Sequence, residues 1–88
     1  MIPYDDEDQA IAIANDSDYG LAGAVWTSDA DRGAAIATRI RAGTVGVNTY
    51  ALDFTIPFGG LKASGFGREY GREGIEEFTE IKSVLGVP

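Results

Sequence analysis

Residues 21–27, "LAGAVWT", form an unbroken run of apolar and small side chains, and "TVGVN" at 44–48 reads as a second short strand. A run of this length without polar alternation suits a strand buried on both faces. Between the two, Ser28 or Asp29 is placed to cap a helix, and Ala30, Ala34, Ala37 and Ile40 recur as its inner stripe. Arg32, Arg39 and Arg41 fall largely outside that stripe, and Gly43 stands where a left-handed residue commonly ends a helix. Strand, helix of about a dozen residues, strand is a βαβ unit, expected to be parallel and right-handed. The chain is therefore expected to be α/β.

The flanks add an N-terminal helix, a long loop, a short late helix and a C-terminal strand. Asp6, followed three positions later by Gln9, predicts a capping box, and Ala10, Ile11, Ile13 and Ala14 give an apolar stripe over a helix at about 7–15. Asn15-Asp16-Ser17-Asp18 ends it, because these side chains compete for backbone hydrogen bonds. Residues 49–71 hold no sustained period and read as a glycine-rich loop, a length that usually carries function or contacts something else. A short helix is expected from near Arg72, with Ile75 and Phe78 facing inward. "IKSVLGV" at 81–87 reads as a final strand with no partner hairpin in this chain.

Composition removes several functions. Eighty-eight residues make one small domain with a thin stability margin. A net charge of −7, from seven basic and fourteen acidic residues, argues against a nucleic-acid partner. The acids at 5–18 read as a solvated helix start, and an acidic partner for a basic protein rests on charge alone. With no Cys and no His, the chain cannot offer a thiolate nucleophile, a histidine triad or the usual zinc ligands. No apolar run approaches the ~18 residues of a membrane span, and Met1-Ile2-Pro3-Tyr4 is unlike a signal peptide, so no membrane contact and a cytoplasmic location are expected.

The stretch "IPFGGLKASGFGRE" at 56–69 invites a phosphate-binding reading. A Walker loop needs Gly-Lys-Ser/Thr opening a helix, but Lys62 is followed by Ala63. A dinucleotide fingerprint needs G-x-G-x-x-G at a strand-to-helix turn, whereas Gly65, Gly67 and Gly71 are spaced G-x-G-x-x-x-G. Both readings fail on spacing and context. The glycines are expected to supply positive φ or close backbone approach in a packed loop.

The segments "YGLAGAVWT", "AGTVGVN", "PFGGLKASGFGREYGREG" and "EEFTEIKSV" occur in the order and spacing found near the C-terminus of the NAD(P)-dependent aldehyde dehydrogenase superfamily. The resemblance runs from Tyr4 to Val87, and its PFGGxKxSGxGRExG pattern is long and specific. It implies that residues 1–79 are the C-terminal part of a catalytic domain and 80–88 the start of an oligomerisation strand. It also implies a parent that oxidises an aldehyde to a carboxylic acid with NAD or NADP, through a cysteine thiolate and a glutamate-activated water. Nucleophile, general base and dinucleotide domain belong to earlier parts of the family's chain, so this segment alone is expected to be inactive and to bind no cofactor.

What the resemblance assigns to this segment is a wall. Tyr50, Leu52 and Phe54 match the loop lining the aldehyde channel, and Phe58 matches the aromatic of PFGG that faces the reacting centre. For Tyr50 and Phe54, plain core packing is the alternative. Glu69 corresponds to a glutamate of a buried proton relay in the betaine-aldehyde branch; an ion pair with Arg68 is the alternative. In the same branch Lys62 and Gly65 lend carbonyl oxygens to a potassium ion. Implied partners are the rest of the dehydrogenase chain and, through the last strand, further copies. The rival reading is a free-standing, non-enzymatic module of the same fold that self-associates.

Overall fold

The computed structural model describes residues 1–86. Helix α1 spans Glu7–Asn15, β1 Tyr19–Gly20, β2 Ala22–Val25, α2 Ala30–Ala37, β3 Thr44–Val47, β4 Leu61–Lys62 and α3 Gly71–Glu76. β2 and β3 pair in parallel, Ala22 opposite Thr44 through Val25 opposite Val47, with α2 as the crossover. The α/β expectation is met at its centre.

Local chemistry accounts for the helix starts. Asp6 accepts from the Gln9 amide at 2.8 Å, and Asp29 accepts from the Arg32 amide at 3.0 Å, each satisfying a donor that the first turn leaves without a partner. The acidic start of α1 is not merely solvated. Glu7 and Asp8 pair with Arg32 of α2 and with Arg39 just past its end, at 2.7 and 2.8 Å, so charge ties α1 to α2 and the turn that follows it. The Glu7 carboxylate, through its hydrogen bond first and its charge second, holds the Arg32 guanidinium above its ordinary pKa. These pairs stay largely exposed, so they fix position more than they add stability.

Several expectations need correction. The inner stripe of α2 is Gly33, Ile36, Ala37 and Ile40, whereas Ala30 and Ala34 are exposed. The strand over "LAGAVWT" is shorter than the run, and it is half-buried instead of covered on both faces. Gly43 does not adopt positive φ, and α2 closes through Thr38 in right-handed geometry. Gly43 is there for space. A Cβ on it would overlap the Gly59 carbonyl oxygen and lie 2.7 Å from that carbonyl's carbon.

Residues 49–71 are more ordered than a loop. β4 pairs antiparallel with β1, Tyr19 opposite Lys62 and Gly20 opposite Leu61, and an isolated bridge joins Phe58 to Glu69. Ile75 and Phe78 do not face inward, being 70% and 93% exposed. Residues 81–86 form no strand, since nothing among the described residues pairs with them; Val87 of the expected strand lies outside the described residues. No helix among the described residues is long and apolar enough to cross a membrane.

Candidate functional site

The glycine stretch is a pinned loop. Phe58 donates its amide to the Glu69 carbonyl and Glu69 donates back to the Phe58 carbonyl, both at 2.7 Å. Inside this clamp, Arg68 Nη1 donates to the carbonyls of Gly60 at 3.0 Å and Gly67 at 2.6 Å. Gly65 and Gly67 turn the chain with φ of 102° and 85°, a region where a Cβ is unfavourable. The amides of Ser64, Gly65, Glu69 and Gly71 donate to the carbonyls of Leu61, Lys62, Phe58 and Phe54. These four donors are spent on the loop itself, and α3, which follows it, has only six residues.

Phe58 is thereby held against two further rings. Tyr70 follows the clamp with φ 61°, a costly conformation for a residue with a Cβ, and the Gly71 amide donates to the Phe54 carbonyl just beyond it. Tyr70 meets Phe54 edge to face, with centroids 4.8 Å apart and planes at 83°, and lies 6.4 Å from the tilted Phe58 ring. Beside this cluster is a hollow of about 260 Å³ lined by Tyr50, Leu52, Asp53, Ile56, Pro57 and Phe58, among others. Of the four expected wall residues, Tyr50, Leu52 and Phe58 come together around this hollow, while Phe54 stands behind it on Tyr70. Tyr70 escaped the sequence reading, because no local signal announces a tyrosine at positive φ.

At the hollow's edge, the Asp53 carboxylate accepts from the Thr55 hydroxyl at 2.6 Å and the Thr55 amide at 2.8 Å. The hydroxyl first, and then the amide, keep the Asp53 carboxyl below the ordinary carboxylate range.

Glu69 lies on a different, more polar hollow with Phe66, Arg68 and Glu77. The Arg68–Glu69 ion pair is not formed, because the guanidinium is committed to the two carbonyls. Lys62, at φ 54°, reaches back to α1, where its ammonium donates to the carbonyls of Asn15 and Ser17, both at 2.9 Å. Its own carbonyl accepts from the Gly65 amide at 3.2 Å. Two carbonyls on one turn, one of them already engaged, fall short of the oxygen shell a cation needs, so these residues do not by themselves fit a potassium ion. Among the described residues, no cluster of three Asp or Glu side chains is placed to hold a metal ion either.

A parallel crossover packed beside a glycine-pinned aromatic cluster defines an α/β segment with an apolar hollow on its surface. The profile of the aldehyde dehydrogenase family matches residues 1–84, and the chain belongs to that family. It is 55% identical over 98% of its length to a 3-succinoylsemialdehyde-pyridine dehydrogenase of a Pseudomonas species, and 52% identical over 96% to the geranial dehydrogenase of Castellaniella defragrans. It spans only 18% of the length of each. The crystal structure of Mycobacterium tuberculosis aldehyde dehydrogenase with NAD+ superposes with a TM-score of 0.95 at 62% identity, over 99% of this chain and 18% of that one. A mutant of aldehyde dehydrogenase C from Pseudomonas syringae, in complex with NAD+ and octanal, gives 0.92 at 48% identity over 96% of this chain and 17% of that one.

Proposed function

We propose that these residues form one wall of the aldehyde channel in an NAD(P)-dependent enzyme that oxidises an aldehyde, with water, to a carboxylic acid. The observation that carries this reading is Phe58, clamped by reciprocal hydrogen bonds to Glu69 and turned to an apolar hollow. Tyr50, Leu52 and Phe58 exclude water and hold the aldehyde's body while thiolate, general base and dinucleotide are brought by the adjoining polypeptide. Glu69, on the neighbouring polar hollow, is placed to join a proton relay with groups of that polypeptide. Residues 1–79 belong to the catalytic domain, and the exposed Ile81, Val84 and Leu85 await an edge strand of another copy. Relatives over five times as long that carry this segment as dehydrogenases favour an enzyme part over a free-standing module. Two similar proteins are named for, or were captured with, geranial and octanal, both apolar aldehydes that suit such a wall. NAD+ in the two similar structures favours NAD as the cofactor.

The test is a graft: residues 1–84 replace the matching segment of the Mycobacterium tuberculosis enzyme, and NADH formation is followed with octanal. The graft is expected to turn over. Phe58→Ala in it is expected to lower kcat/KM roughly tenfold, the effect of losing about 1.5 kcal/mol of apolar contact. Undiminished turnover by that variant would remove Phe58 from the channel.

A further inference from the structure

Resting on the aldehyde-channel reading, we infer that Asp53 sets the charge selectivity of this hollow, admitting aldehydes with a neutral apolar body and turning away those with an anionic tail. Tyr50, Leu52, Ile56, Pro57 and Phe58 offer apolar surface, and Asp53 is the one charged side chain among the residues lining the hollow. Its position is fixed. Thr55 donates to it from both hydroxyl and amide, so the carboxylate, although exposed to solvent, stays tied to the 53–55 turn at the rim of the hollow. The same two bonds favour its ionised form, so the charge is present throughout the neutral range.

Among the described residues, no ion pair is formed with Asp53. Between residues 49 and 76 the basic side chains are Lys62, Arg68 and Arg72, and each is engaged elsewhere. Lys62 holds the end of α1, Arg68 holds the glycine turn, and Arg72 pairs with Glu76 at 2.9 Å. A substrate carboxylate entering here would lose water against apolar surface and meet a like charge, and the lining sets against this only the hydroxyls of Thr44 and Tyr50, with no cationic side chain. A methyl-ended aldehyde of the same length loses nothing of the kind and gains burial.

The grafted enzyme gives the test, using butanal and succinic semialdehyde as a pair of equal carbon count. The graft is expected to prefer butanal in kcat/KM. Asp53→Asn keeps an acceptor for the Thr55 amide while removing the charge, and should shift the ratio toward succinic semialdehyde by about fivefold. Asp53→Glu, which keeps the charge, should hold the ratio. The Asp53→Asn effect should also shrink as salt rises from about 0.05 M to about 0.5 M, where screening shortens the reach of an exposed charge. An active graft whose ratio is unmoved by Asp53→Asn, or is moved equally by Asn and Glu, overturns the assignment to charge and leaves the channel reading standing. A graft that oxidises neither aldehyde overturns both.

Discussion

The 88-residue chain by itself is expected to show no cooperative melting transition and to bind a dye such as ANS strongly. Its accessible surface is 7113 Å², against roughly 5,000 Å² for a compact monomer of this mass. Its radius of gyration is 17.2 Å, against roughly 12 Å for a compact domain of this length. Among the described residues Ile11, 6% exposed, is the one hydrophobic side chain that is buried. Trp26, Phe66, Phe78, Ile81 and Leu85 are all exposed, far more apolar surface than a small soluble fold normally leaves uncovered. Calorimetry with ANS fluorescence on the purified chain decides the matter. A sharp two-state transition with no ANS enhancement would mean that the βαβ unit is a domain in its own right, and would revive the free-standing module.

That expectation follows from what periodicity can and cannot say. The capping of α1 by Asp6 was legible because it needs only a side chain three residues from the amide it serves. The crossover was legible for a similar reason, since two apolar runs flanking one helix leave few topologies. The inward face assigned to Ile75 and Phe78 failed differently. An apolar stripe states that a face seeks cover, and nothing in the pattern says whether this chain provides it. The pairing of β1 with β4 was beyond reach, because two dipeptides separated by some forty positions carry no periodic signal. The residues around the hollow were singled out through the family motif; the clamp beside them, built from backbone bonds and a strained Tyr70, left no mark in residue types.

Gly43 shows the limit most sharply. A local rule places a left-handed glycine there, yet the residue has ordinary φ and is small for a reason located sixteen positions away. Gly43 cannot retreat: its amide donates to the Gly20 carbonyl at 3.0 Å, and the Thr44 amide donates to Leu21 at 3.2 Å, seating it at the head of the parallel pair. Gly59 cannot retreat either, since the Phe58–Glu69 clamp and the Arg68 guanidinium hold the turn on both sides. A methyl group at Gly43 must therefore push the glycine turn off the sheet, and Phe58 with it. In the grafted enzyme, Gly43→Ala is expected to cost about 3 kcal/mol of local stability and to lower kcat/KM by more than the roughly tenfold loss assigned to Phe58→Ala. The half-life of thermal inactivation is the proper stability readout for so large a protein, and it should fall steeply. Gly23→Ala is the control: it lies in the same sheet, and its added Cβ would sit 3.6 Å from Ile40 Cγ2, an ordinary contact. That variant should keep both half-life and turnover. If the two alanines behave alike, the close approach of Gly43 to Gly59 is not what seats Phe58, and the wall must owe its position to the surrounding polypeptide instead.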